Sequence, residues 1–139
     1  MATPKIEKHI AMKLDEELSS VSIDGSSRNL YFGRLDSTAS LPLVSVHVRA
    51  FGGQTDLHND GRYRRAGVQV LVLFKQERDH DVAEELAIEI HDTLDLLGAF
   101  TVDGQSYQDV RATVPRPSHI DAGDLGEGFA ADYEVWWEG

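Results

Sequence analysis

The segment from Arg65 to Gly98 constrains the fold more than any other stretch, because it places a strand directly before a helix. It opens with a run of mainly aliphatic and β-branched residues, from Ala66 to Lys75, which is typical of a buried strand. After a short polar break, apolar residues recur at helical spacing, at Ala83, Leu86, Ala87, Ile90, Leu94 and Leu97. The segment therefore predicts the core of a small α+β domain.

Local signals mark both ends of this helix. Asp81 is of a type that often caps a helix N-terminus, and Glu84 follows at the spacing of a capping box. Gly98 can adopt the left-handed conformation in which many helices end. We therefore predict a helix from Val82 to Leu97, with His80 outside it.

A second amphipathic helix is predicted over residues 4–20. Thr3-Pro4 provides its start signal, since Thr caps helices and Pro is tolerated at the first helical position. The apolar residues that follow are spaced mostly by four, at Ile6, Ile10, Leu14, Leu18 and Val21. They form one stripe, which we expect to face the core.

Several further stretches have strand character. Residues 30–32 form a short apolar run, and residues 43–51 alternate apolar and polar side chains, as a half-buried strand does. Asp103-Gly104 follows one strand-like run and precedes another, over residues 106–114, which predicts a hairpin with a type I′ turn. The last run, residues 129–138, alternates again.

The order of these elements predicts a single α+β domain over residues 1–139. We expect a mainly antiparallel sheet with two helices packed on one face, one hairpin, and long protruding loops at residues 52–61 and 118–128. The other face of the sheet is then polar, and it is either solvated or an interface. We predict that it carries Ser45, His47, Arg49, Asp132, Glu134 and Trp136.

Charge and residue content limit the possible functions. The net charge of -11 argues against tight binding to a phosphate backbone, which depends on Lys and Arg. The sequence has no Cys, which excludes disulfides, thiolate metal sites and Cys nucleophiles. No apolar run approaches the roughly 18 residues of a membrane span, and the N-terminus has no signal-peptide pattern. We expect a protein made in the cytoplasm, neither exported by a signal peptide nor anchored in a membrane.

No motif indicates a catalytic centre, and we predict no catalytic residue, cofactor or bound metal. His91-Asp92 lacks the partner His and Asp of a metal phosphohydrolase. The loop from Asp56 to Gly61 resembles a calcium loop, but His58 and Gly67 occupy two of the ligand positions. P-loop, dinucleotide-binding and serine-nucleophile motifs do not occur. We expect the histidines to be solvated or hydrogen-bonded.

Six residues are candidates for an interface. Trp136 lies on the polar side of the last strand, and Trp is enriched in interface hot spots. Ile88 lies roughly 140° around its helix from Ala83, away from the core stripe. A basic cluster stands out against the acidic background, at Arg62, Tyr63, Arg64 and Arg65. The alternative is that Trp136 and Ile88 are ordinary surface side chains and that the basic cluster is the solvated start of a strand.

The order of the elements resembles the siphophage tail terminator proteins, a family often labelled phage minor capsid or minor tail proteins. The matching stretches are the N-terminal helix, residues 30–35, 42–46, 64–72, 83–94, 102–107 and 133–136, a Gly-Gly loop, and a Pro-bearing stretch near Pro115. They cover nearly the whole chain. The likeness rests on order and length, since no single motif in it is specific.

The resemblance implies assembly rather than catalysis. Such proteins form a homohexameric ring on the head-proximal end of the tail tube, where the ring stops tube polymerisation and joins the tail to the head. The implied partners are further copies of the chain, the tail tube protein, the head–tail connector or stopper protein, and genomic DNA passing through the lumen. The implied location is the tail of the virion, with the host cytoplasm during assembly. An acidic lumen would let DNA slide, whereas a lumen lined mainly by Lys and Arg would contradict this.

Other functions stay open. A head-closure or tail-completion protein of a phage neck has a similar size and general organisation. A small-ligand-binding module or an unrecognised hydrolase on the same scaffold would need a pocket with convergent polar groups, including His47 or His58. Nucleic-acid-binding regulation is disfavoured by the charge and by the lack of a recognition-helix pattern.

Overall fold

The computed structural model describes residues 5–33, 41–55 and 63–138. Within these residues lie two helices, α1 (Ile6–Glu17) and α2 (His80–Asp95). The strands are β1 (Leu30–Phe32), β2 (Val44–Thr55), β3 (Tyr63–Phe74), β4 (Phe100–Val102), β5 (Gln105–Tyr107), β6 (Asp109–Ala112), β7 (Ser118–Asp121) and β8 (Glu127–Glu138). Short 3-10 turns precede α2 and β8, at Glu77–Asp79 and Gly123–Leu125.

Six strands form one sheet in the order β1-β2-β3-β8-β6, with β7 also paired to β8. β1 runs parallel to β2, and the other described pairs are antiparallel. β4 and β5 form a separate hairpin, in which Asp103 (φ 51°) and Gly104 (φ 79°) adopt the left-handed conformation of a type I′ turn. These observations confirm the α+β fold, the mainly antiparallel sheet and the hairpin.

Both helices pack on the same face of the sheet, as predicted. The buried residues of the helices are Ile6, Ile10, Ala11, Leu14, Ala83, Leu86, Ala87, Ile90 and Leu94. They meet the inward side chains of the long strands, which include Val46, Val48, Val68, Val70, Val72, Phe129, Ala131, Tyr133, Val135 and Trp137. Removing these apolar side chains from water is the main force that holds the helices on the sheet.

A buried histidine–tyrosine hydrogen bond fixes each helix within this core. In α1, Nδ1 of His9 lies 2.5 Å from the Tyr107 hydroxyl of β5. In α2, Nδ1 of His91 lies 2.9 Å from the Tyr133 hydroxyl of β8. Burial lowers the pKa of His9 and raises the pKa values of both tyrosines, so the bond between His9 and Tyr107 joins two neutral groups. The hydrogen-bonded role expected of the histidines is confirmed at these two positions.

Two backbone N–H groups of β6 donate hydrogen bonds to side-chain carboxylates. The N–H of Val110 donates to Oδ1 of Asp109 at 2.9 Å. The N–H of Ala112 donates to Oδ1 of Asp95, at the end of α2, at 3.4 Å. These two donors are therefore satisfied by side chains rather than by a further strand.

The second helix begins earlier than predicted. His80 is its first residue, and Asp79 precedes it without a side-chain capping bond. The reason is the 3-10 turn at Glu77–Asp79, which leads directly into α2 and starts the helical path before Asp81. Oδ1 of Asp81 instead lies 3.1 Å from Nδ1 of His80. The first helix begins at Ile6, and Thr3-Pro4 lies outside the described residues.

The predicted loops are partly strand. Residues 52–55 continue β2, and the rest of the first loop, residues 56–62, lies outside the described residues. In the second loop, β7 pairs with the first residues of β8. The predicted strand over residues 106–114 is divided, because the N–H of Gln108 donates to Trp136 O and the chain passes from the small hairpin into the main sheet. Cross-strand pairing overrides weak local propensity in these polar segments.

We predict that Gly128→Ala destabilises the protein by about 2 kcal/mol or more. A Cβ atom at Gly128 would lie 2.2 Å from the carbonyl oxygen of Val72 on the paired strand. The two central strands would have to separate, because a backbone atom cannot rotate away. Urea unfolding followed by tryptophan fluorescence measures the change. Ala130→Ser, on the same strand, is the control with little expected effect. Equal stability of the two variants would contradict the prediction.

Candidate functional site

The sheet face away from the helices is divided into a buried end and an open end. At the buried end, Ser45 lies opposite Leu73, and His47 lies opposite Leu71. All four side chains are buried, and His47 is only 2% exposed. The prediction that Ser45 and His47 lie on a solvated or interface surface is therefore wrong. Leu71 and Leu73 continue the apolar character of β3 on this face, so the polar residues of β2 lie in an apolar environment.

His47 is held as a neutral base in this environment. Its Nε2 lies 2.8 Å from Oγ of Ser45, and the ring of Tyr31 is stacked on it with a centroid distance of 5.3 Å. Nδ1 of His47 is buried without a hydrogen-bond partner in the described part of the chain. Burial lowers its pKa to about 4, with a smaller effect from the positive charge of Arg49. A serine–histidine pair this deeply buried cannot meet a substrate.

The open end begins two residues after His47 on β2, at Arg49. Register places Arg49 opposite Gln69, and Gln69 opposite Asp132. The next rows continue to the end of the sheet. We call the following residues the open face: Arg49, Phe51, Arg65, Gly67, Gln69, Asp109, Arg111, Asp132, Glu134 and Trp136. Three of these, Arg49, Phe51 and Arg111, are exposed, and the side chain of Trp136 is half-buried.

An aromatic and charged group forms the centre of the open face. Arg65 and Trp136 are cross-strand partners, and the guanidinium carbon of Arg65 lies 5.5 Å from the indole ring centre. Nη1 of Arg65 also lies 3.6 Å from Oε1 of Glu134. The guanidinium group over the indole ring restrains this large aromatic side chain.

Phe51 adds a second aromatic side chain, which is 50% exposed. Its ring lies over Gly67, where a Cβ atom would come within 2.6 Å of the ring. The absence of a side chain at Gly67 therefore lets the Phe51 ring lie against the backbone of β3. Phe51 and Gly67 line a shallow groove together with Arg65, Asp132 and Glu134.

The arginines of the open face are more exposed than its carboxylates. Nη2 of Arg49 donates to Oε1 of the neutral Gln69 at 2.8 Å. Nε of Arg111 donates to Oδ2 of Asp109 at 2.6 Å, but the side chain of Arg111 is 73% exposed and that of Asp109 is 32% exposed. Oδ1 of Asp132 is buried and has no hydrogen-bond partner among the described residues. The face carries as many arginines as carboxylates, and its exposed charged residues are Arg49 and Arg111.

The structure brings together only part of the predicted interface set. Arg65 and Trp136 touch each other on the open face. Arg64 lies opposite the inward Trp137 and so belongs to the helix-covered face. Ile88 lies on α2 and is half-buried. The backbone of Tyr63 begins β3, whereas its side chain and the whole of Arg62 lie outside the described part.

Sequence reasoning missed Phe51, Gln69 and Arg111 as members of this surface. Phe51 follows Arg49 by two residues on β2, so the alternation of the strand could have placed it there. Arg111 could be placed only through the pairing of β6 with β8, which no local pattern indicates.

Among the described residues, no three His, Asp or Glu side chains come together as metal ligands. None of the described helices has the length and apolar content needed to span a bilayer. His47, one of the two histidines expected in a ligand pocket, is buried, and His58 lies outside the described residues. Comparison with known family models and with curated proteins gives no match.

We predict that His47 makes the fold sensitive to acid. The unfolded chain takes up a proton on this histidine near pH 6.5, whereas the folded protein resists it until pH about 4. Stability is therefore lost as the pH falls through this window, by about 2 kcal/mol between pH 7 and pH 4.5. His47→Gln should remove this part of the pH dependence, measured by urea unfolding at both pH values.

His119→Gln is the matched control, because His119 is an exposed histidine on β7. It should leave the difference between the two pH values nearly unchanged. An unaltered pH dependence in His47→Gln would show that burial of His47 does not set the acid response.

Proposed function

We propose that this chain is a structural virion protein, a tail terminator that forms a homohexameric ring. The ring caps the tail tube at its head-proximal end and joins it to the connector or stopper protein of the head. Genomic DNA passes through the lumen without specific binding. The protein acts in the tail of the virion and assembles in the host cytoplasm. It is not an enzyme in this proposal.

The open face is the observation that carries the proposal. Trp136 and Phe51 expose aromatic surface on the sheet face that the helices leave uncovered, and Arg65 lies against the indole. Aromatic and arginine side chains in a central position are the composition of interface hot spots. A ring subunit needs such a surface, whereas an isolated domain gains nothing from exposing it.

The order of sequence elements supports the same proposal independently. Helix, short strand, long strand pair, helix, hairpin and final strand follow one another as in the tail terminators. The net charge of -11 is compatible with a lumen that DNA traverses, because few cations are available to hold the phosphates.

The proposal is tested on tail tubes assembled in the presence and absence of the purified protein. Electron microscopy should show a ring at one end of each tube, and tubes of limited length. A phage neck protein, the nearest alternative, should instead bind to heads or connectors and leave the tube ends bare. Tubes that grow without limit and carry no ring would overturn the proposal.

We predict that Trp136→Ala raises the protein concentration needed for ring formation at least tenfold, because the variant removes the largest apolar side chain of the open face. Analytical ultracentrifugation and counting of capped tubes measure the effect. Leu43→Ser is the control, because Leu43 is an exposed apolar residue (44%) that is not part of the open face. Equal loss of assembly in both variants would contradict a specific role for Trp136.

A further inference from the structure

The outer side of α2 is unusually acidic. The helix contains six Asp and Glu residues and no Lys or Arg. Of the acids, Asp81 lies beside a basic residue of the same helix, His80. Two of the acids, Asp92 and Asp95, lie in its last turns, where the helix dipole already places negative charge. The exposed acids have apolar neighbours in Val82, which is exposed, and Ile88, which is half-buried. We call the following residues the acidic stripe: Asp81, Val82, Glu85, Ile88, Glu89 and Asp92.

Such a stripe costs stability in the isolated chain. Acids four residues apart on a helix repel each other, and here Asp81, Glu85 and Glu89 follow that spacing without an intervening cation. A cationic partner surface would relieve the repulsion. The apolar side chains beside the acids would be removed from water by the same contact.

The open face has the complementary character. Its exposed charged residues are Arg49 and Arg111. Of its carboxylates, Asp132 and Asp109 are half-buried, and Glu134 lies beside Arg65, the more exposed partner of that pair. Its aromatic centre, Trp136 and Phe51, offers an apolar surface to side chains such as Ile88.

The two surfaces lie on opposite sides of the same subunit. α2 packs on one face of the sheet, and the open face is the other. They cannot meet within one chain, but a neighbouring copy can bring its α2 onto the open face. A contact between two different surfaces of identical subunits is heterologous, and it closes into a ring when the rotation between copies allows it.

We propose that the acidic stripe of one subunit packs on the open face of the next. This inference rests on the proposed ring and names the two surfaces that build it. The sheet, covered by helices on one side, then receives a helix from the neighbour on its other side. Ile88 is far from Arg65 and Trp136 within one subunit. In this arrangement, Ile88 of one copy meets Arg65 and Trp136 of the next.

The dimensions of the two surfaces agree. From Asp81 to Asp92 the helix rises by about 17 Å. The open face spans four strands, about 14 Å across at ordinary strand spacing. One helix can therefore lie over the whole open face.

The absence of Cys from the sequence permits a direct test by disulfide trapping. The double variant Ile88→Cys with Gln69→Cys places one thiol on each surface of every subunit. The full chain is oxidised mildly under conditions in which the unmodified protein forms rings, in solution and on tail tubes. The expected product is a ladder of disulfide-linked oligomers that ends at the number of subunits in the ring. Each single-cysteine variant should give no product beyond a dimer.

Charge reversal provides the matched functional test. Glu85→Arg with Glu89→Arg, and separately Arg49→Glu, should each abolish rings at concentrations where the unmodified chain is fully assembled. Mixing the two variants should restore assembly, because alternating subunits then meet through matched charges. All variants change exposed residues, and circular dichroism confirms that each is folded.

The outcomes separate the two proposals. A ladder together with rescue on mixing supports the packing of the acidic stripe on the open face. Rings without a ladder, or rings that tolerate both reversals, overturn this packing and leave the terminator proposal standing. Failure of the unmodified chain to form rings, in solution and on tail tubes, overturns both.

Discussion

The alternation of side chains along β8 is the constraint on which the rest of the structure depends. β8 is paired with β3 on one side and with β6 and β7 on the other. One set of its side chains, including Tyr133 and Trp137, is buried under the helices, and the other set forms the open face. A shift of one residue in the register of β8 would exchange these two sets. Core and candidate interface are thus fixed by the same pairing.

The two histidine–tyrosine hydrogen bonds fix the positions of the helices on this core. Apolar packing alone holds a helix on a sheet but leaves it some freedom to slide. A buried hydrogen bond has one geometry, and breaking it leaves a polar group without water. The bonds from His9 and His91 therefore specify where α1 and α2 lie. If the outer side of α2 meets a neighbouring subunit, the bond from His91 on its inner side also positions that contact.

Much of the fold could be predicted from the sequence, because its long elements have strong periodicity. The stripe in α2, the alternation in β8 and the Asp103-Gly104 turn each specify their own structure. The division of residues 106–114 could not be predicted, since it depends on pairing with β8, which is distant in sequence. The burial of His47 was missed for a related reason. Alternation identifies the face to which a side chain belongs, but it does not show which part of that face is covered.

The candidate site was predicted less completely than the fold. Trp136 and Arg65 were recognised by residue type, yet their direct contact follows from the register of β3 and β8. Ile88 was recognised by its angle on the helix. In the proposed ring, its relation to the other two depends on a second subunit, and no pattern within one chain contains that information.

The carboxylates along β6 have a consequence for the behaviour of the free chain. The N–H groups of Val110 and Ala112 are already bonded to Asp109 and Asp95, so an incoming strand at these donors would first have to displace a charged side chain. Growth of the sheet by uncontrolled edge pairing, the usual route to aggregates, is therefore discouraged at β6. The chain is thus protected at this edge by its own side chains, and contacts through its side-chain surfaces are not affected by this protection.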